Sequence, residues 1–220
     1  MLTTLKNAFK INEIRSKILF TFAMLVVIRI GSQLPVPGVR GEFFRNWFQS
    51  QAEGAFSFFD AVTGGSFINM SILALNITPY ITSSIIMQLL TIAIPKLEEM
   101  QRDGEDGRKK IASITRYVTI ALALIQSTAM AVGFGRQGYL VKFDALNIIC
   151  AITTLTAGSA FLMWVGERIT EKGIGNGISI VLVINIISRL PEDLHNLFQQ
   201  FVVGKAPATA ILAAVLIFAV

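Results

Sequence analysis

The chain has 220 residues, of which 53% are apolar and only 15% charged, with a mean hydropathy of +0.63. A soluble domain of this length needs far more surface charge, so the composition excludes an ordinary water-soluble globule. Its 19 Lys and Arg against 14 Asp and Glu give a formal charge of +5, which in so apolar a chain bears on membrane orientation before nucleic acid. Cys150 and His195 are the only residues of their kinds. An internal disulfide and a thiolate zinc site are therefore excluded, and a His-based metal site or catalytic triad has too few ligands. No metal or other cofactor is expected.

In chain order, residues 1–17 interleave Leu2, Leu5, Phe9 and Ile14 with Lys6, Lys10, Arg15 and Lys17. That is the pattern of an amphipathic surface helix lying against anionic lipid headgroups, with a solvated basic tail as the alternative. No small-residue cleavage site follows it. Six apolar blocks come next, over 18–34, 72–94, 111–134, 146–166, 174–190 and 206–220. Their apolar residues come in blocks, not in a 3.6-residue stripe, and a crossing helix needs about 20 such residues, with the first and fifth blocks at the short end. The spacing predicts an all-α, polytopic membrane protein with five complete crossings over 18–190 and an external loop over 191–205. The chain stops inside the sixth block, so it is expected to be part of a longer protein.

Arg29 lies near one end of the first block, where its stem can run along the helix and its charge can reach the interface. The loop over 32–71 is long, and it opens on the turn-rich run Leu-Pro-Val-Pro-Gly at 34–38. Phe43, Phe44, Trp47 and Phe48 then read as an interfacial aromatic group. Residues 56–65 suit two or three helical turns ended by Gly64 and Gly65, lying in the interface or folding back into the protein. Residues 98–110, dense in mixed charge, read as a solvated loop. Lys6, Lys10, Arg15, Lys17, Lys96, Arg102, Arg108, Lys109, Lys110, Arg116, Arg168 and Lys172 fall on one side of the membrane. They outnumber Arg40, Arg45, Arg136, Lys142, Arg189 and Lys205 on the other, which places the N-terminus in the cytoplasm.

The second block carries Asn76, Thr78, Pro79, Thr82, Ser83, Ser84 and Gln88. Hydroxyls can bond back to the carbonyl one turn earlier and Pro79 can kink the helix, but the amides of Asn76 and Gln88 need partners or water. This helix is expected to face protein or a wet cavity. The fifth block opens on glycines 173, 175 and 177 around Asn176, which suits either close backbone approach or a helix start capped by Asn176. No metalloprotease helix, serine elbow or intramembrane carboxylate pair occurs, which argues against an enzyme.

Several runs together resemble the SecY family, the central subunits of protein-conducting channels. They are Leu-Pro-Val-Pro-Gly at 34–38, Ile-Thr-Pro-Tyr-Ile at 77–81 with Ile-Ile-Met-Gln-Leu-Leu at 85–90, and Gly-Glu-Asp-Gly-Arg-Lys-Lys at 104–110. Thr-Arg-Tyr at 115–117, Phe-Leu-Met-Trp at 161–164 and the long run over 166–179 continue the match. The resemblance implies the N-terminal five-helix half of an inverted-repeat channel plus the start of a sixth helix. It implies a pore ring of Ile77, Ile81, Ile178 and Leu182, the last in place of the usual isoleucine. It implies a plug near 56–67 that includes Phe56, Phe58, Phe59, Val62, Gly64, Gly65 and Phe67, and a lateral gate and polar funnel at Thr82, Gln88, Gln126 and Asn176. The implied partners are SecE-like and SecG-like subunits, the SecA motor, the ribosome, signal peptides and nascent chains, with no direct nucleic-acid function. The implied setting is the bacterial cytoplasmic membrane, where such a channel translocates unfolded preproteins and releases membrane segments sideways. A chain without helices seven to ten is expected not to translocate protein by itself.

The rival reading is a half-size secondary transporter, suggested by the acidic, glycine and basic residues over 103–110. A carrier is expected to show a substrate-binding charge at the membrane midplane, and the blocks offer none.

Overall fold

The computed structural model of the chain describes residues 11–50, 60 and 62–198. Seven helices are found among them: α1 (Asn12–Gly31), α2 (Gly41–Ser50), α3 (Thr78–Ala93), α4 (Pro95–Arg102), α5 (Gly104–Arg136), α6 (Ala145–Lys172) and α7 (Gly177–Phe198). Residues 1–10 of the expected surface helix and the sixth apolar block lie outside the described residues. Residues 12–17 belong to α1 itself.

α5 and α6 are long and apolar enough to cross a membrane, and α3 with α4 adds a third candidate if counted as one broken span. α5 has 33 residues, about 50 Å of helix against a hydrocarbon core of about 30 Å, so its ends project. α6 starts where Asp144 Oδ1 accepts the Ala145 N–H at 2.8 Å. It packs against α1, α5 and α7, which makes it the centre of the bundle. The contact face of α5 repeats a small residue at every fourth position: Thr115, Thr119, Ala123, Ser127, Ala131 and Gly135 are all buried. Small side chains let backbones approach, and their hydroxyls link helices. Ser127 pairs with Thr156 of α6 at 2.9 Å, and Ser83 of α3 pairs with Thr119 at 2.5 Å. The opposite face presents Leu124 and Ile125 outward, as lipid-facing residues do.

Four expectations are corrected. The second block is not helical from residue 72: residues 72–77 are turns, and α3 starts at Thr78 with Pro79 in its first turn. Proline lacks only an N–H that a first turn leaves unpaired, so Pro79 starts this helix instead of kinking it. The bend comes later, 102° at Ile94, where Pro95 holds Ile94 extended and opens α4. Residues 98–110 are not a loop but α4 and the first turns of α5, joined at Gly104. Phe44 and Phe48 are not interfacial but buried, one turn apart on the inner face of α2. There Phe44 meets Phe67, Phe134 and Tyr139 edge to face with centroids 4.9–5.7 Å apart. Phe43 is exposed, and the Trp47 side chain lies outside the described residues. Finally, α7 continues through Pro191 to Phe198, so the first part of the segment expected as an external loop is helix.

The turn run at 34–38 pegs these parts together. Val36 N–H donates to Met70 O at 2.9 Å, Ile72 N–H to Leu34 O at 2.9 Å, and Val141 N–H to Gly38 O at 2.9 Å. The 72–77 turns then pass so close to α6 that a β-carbon on Gly158 would overlap the Ile72 carbonyl. Gly158→Val is therefore expected to force the two backbones apart and destabilise the chain by about 1–3 kcal/mol. Denaturation in detergent micelles checks this, and an unchanged midpoint would show that the contact yields freely.

Candidate functional site

Ile77, Ile81, Ile178 and Leu182 come together. Ile77 is fully buried in a cluster with Ile28, Leu73, Leu162, Val165, Ile169 and Val181, and Ile81, Ile178 and Leu182 pack against it half-buried. Ile178 and Ile77 fill the space where a side chain on Gly166 would stand. The start of α7 is fixed by Asn176, whose Oδ1 accepts the Ile178 and Ser179 N–H groups at 3.0 and 3.4 Å. Asn176 therefore caps a helix, and it shares a recess with Tyr80, Arg116, Glu167 and Ile178. In that recess Arg116 Nε donates to Glu167 Oε1 at 2.8 Å, tying α5 to α6.

Next to this cluster, residues 60–70 are held by a polar network that no sequence pattern announced. Asp60 is fully buried and forms an ion pair through Oδ2 with Arg189 Nη1 of α7. Its Oδ1 accepts the Ile68 N–H at 2.9 Å. Asn76, 1% exposed, takes a left-handed backbone with φ of 53°. Its Nδ2 donates to Val62 O at 3.2 Å, and its Oδ1 accepts from Asn185 Nδ2 at 3.0 Å. Arg29 Nη1 donates to Gly64 O at 3.3 Å. Gly64 has φ of 66° and lies so close to α7 that a β-carbon would stand 2.7 Å from Asn185 O. Glycine alone meets both demands. Val62 is half-buried, Gly65 has φ of 81°, and Phe67 joins the aromatic cluster of α2. Phe56, Phe58 and Phe59 lie outside the described residues. The available signal was Asn185 and Arg189, polar at i and i+4 in an apolar run, opposite a lone Asp60.

The polar-funnel residues are spread out. Thr82 Oγ1 donates back to Thr78 O at 3.0 Å. Gln88 is exposed on the wall of a groove of about 290 Å³ between α3, α4 and α5, with Ser84, Thr91, Gln101, Arg108 and Thr115. Gln126 is half-buried on α5, two turns beyond the Thr119 contact with Ser83, about 10 Å further along the axis. The structure does not bring Gln88 and Gln126 together.

A family model described as SecY matches residues 71–220. The chain belongs to the SecY family. The SecY protein translocase subunit of Staphylococcus carnosus is 42% identical over 213 residues, covering 95% of this chain and 49% of the relative. That of Bacillus subtilis is 43% identical over 209 residues, covering 93% and 48%. The chain thus spans about half the length of the curated relatives it matches. Among solved structures it is similar to Sec61 of a canine ribosome-channel complex from the endoplasmic reticulum, with TM-score 0.56 and 18% identity over 84% of this chain and 38% of that one. A structure titled as a protein conducting channel matches with the same figures. The all-α, multi-pass membrane fold expected of a SecY-family chain is the fold observed, and the relatives are named as translocase subunits, not as small-solute carriers.

In this SecY-family chain, Asp60→Asn leaves the Arg189 guanidinium without its counter-charge. A loss of about 3 kcal/mol is expected, while Asp60→Asn combined with Arg189→Met is expected to recover much of it. A double-mutant cycle in micelles measures the coupling, and a value under about 0.5 kcal/mol would show that the pair holds nothing.

Proposed function

We propose that the chain forms the N-terminal half of the wall of a protein-conducting channel in the bacterial cytoplasmic membrane, with its N-terminus in the cytoplasm. The channel passes unfolded preproteins and releases membrane segments sideways into lipid. The observation that carries this reading is the meeting of Ile77, Ile81, Ile178 and Leu182 in one apolar cluster, beside a segment tied down by Asp60, Asn76 and Gly64. An apolar constriction sheds water and so resists ions, yet it widens around a peptide because dispersion contacts have no fixed direction. Residues 56–67 act as its stopper. The ties at Asp60, Val62 and Gly64 are polar, so they can be exchanged for contacts with an arriving chain while Phe67 anchors the far end of the segment in the aromatic cluster. The groove beside Gln88 suits the passage of an amphipathic segment between α3 and neighbouring helices, with Thr82 and Gln126 at other heights on the same gate.

The channel makes and breaks no covalent bond. Work comes from outside, from a SecA motor or a translating ribosome. SecE-like and SecG-like subunits complete the complex, signal peptides and nascent chains pass through it, and anionic lipids hold the basic N-terminal segment.

The test is crosslinking in the complete translocase. With Cys150 replaced by Ala, a single cysteine at Ile81 or Ile178 is expected to crosslink to a preprotein stalled in transit. One at Leu146, exposed on α6, is expected not to. Failure at both ring positions would sink the assignment.

A further inference from the structure

The end of the bundle where α1 and α7 finish holds a further recess, of about 280 Å³, against the proposed stopper segment. Its walls are overwhelmingly polar. Arg29 of α1, Arg45 of α2 and Arg189 of α7 all face it, with Gln33, Asn69 and Ser188 between them and the backbone of Gly64 and Gly65 as its floor. The nearby carboxylate, Asp60, is fully buried and already engaged at both oxygens, by Ile68 N–H and by Arg189. Among the described side chains, three guanidiniums face one carboxylate, an excess of positive charge of about +2, since arginine stays protonated at any ordinary pH.

The donors are also under-used. Each guanidinium carries five N–H groups. Arg29 engages the Gly64 carbonyl, Arg45 donates to Asn69 Oδ1 at 2.5 Å, and Arg189 pairs with Asp60 through Nη1. The Nε–H of Arg189 is buried without an acceptor. A buried donor left unpaired is costly, and so are like charges crowded into one concavity, so the recess favours an acceptor that carries negative charge. Planar guanidinium forks match the paired oxygens of an oxyanion, and three of them around one concavity suit the several oxygens of phosphate.

We infer that this recess binds a phosphate-type oxyanion, held by Arg29, Arg45 and Arg189. Arg29 stands in the last turn of α1 and Arg189 near the end of the apolar stretch of α7, so a lipid headgroup phosphate or a free phosphate can both reach it. An oxyanion bound there bridges α1, α2 and α7 and braces the floor that Gly64 and Gly65 form.

The test uses the 220-residue chain, read by its unfolding midpoint and by phosphorus NMR linewidth. In dodecyl maltoside micelles, which hold no phosphate, inorganic phosphate is expected to raise the midpoint where sodium chloride of equal ionic strength does not. In nanodiscs of equimolar phosphatidylcholine and phosphatidylglycerol, a raised midpoint without added phosphate identifies the headgroup as the source. Arg45→Gln, which leaves the Asp60 and Arg189 pair intact, is expected to weaken either response at least tenfold in affinity. Gln33→Glu supplies a tethered carboxylate, so it is expected to raise the midpoint by itself and to abolish the response to phosphate. No response to either phosphate source, or one that Arg45→Gln and Gln33→Glu leave unchanged, would overturn the inference.

Discussion

The buried pairing of Asp60 with Arg189 is the interaction on which the arrangement around residues 60–70 depends. Two opposite charges withdrawn from water gain little net stability, but neither can leave without the other. The pair therefore fixes position more than it adds energy. It pins the start of the 60–70 segment to α7, one helical turn from Asn185. Asn185 in turn donates to Asn76, and Asn76 holds Val62. The left-handed turn at Asn76 and the tight passage of Gly64 past the Asn185 carbonyl follow from the same closure. Three elements distant in sequence meet through polar groups that would be intolerable in lipid if any were left alone.

That network also explains how one end of the site can be polar while the other is apolar. Ile77 follows Asn76 directly, so the residue that holds the segment and the residue at the heart of the apolar cluster share a turn. Movement of the segment can therefore reach the cluster through the 72–77 turns, and also through α7, which carries both Asn185 and Leu182. Those turns are backed by α6, where Gly158 lets them approach, and by the pegs from Leu34 and Val36. The α5 and α6 seam of small residues supplies the rigid wall against which such movement is defined.

Much of the fold was legible in the sequence because lipid demands long apolar blocks and leaves few alternatives to helix. The third and fourth blocks became α5 and α6 almost as read. Asn176 capped α7, and its glycines sat at the entry. What failed to show was decided by tertiary contact. Phe44 and Phe48 looked interfacial because aromatics are common there, but Phe67, Phe134 and Tyr139 gave them an interior. The charged run at 98–110 looked like loop because charge marks solvent, yet a solvated helix carries charge equally well, as Glu98 with Arg102 does. Asp60 and Arg189 are so far apart in sequence that no local pattern joins them. The ring positions, by contrast, came from family resemblance; periodicity alone marked the second block as polar without saying which residues meet.

The proposed stopper over 56–67 is latched at Asp60 and released when a polypeptide enters. The Ile68 amide, which donates to the Asp60 carboxylate, reports the latch directly. Hydrogen exchange at this amide should be measured in the membrane-embedded translocase, first idle and then with a preprotein stalled in transit. Slow exchange in the idle complex and fast exchange in the occupied one is the predicted result. Equal rates in the two states, or fast exchange at rest, would contradict it.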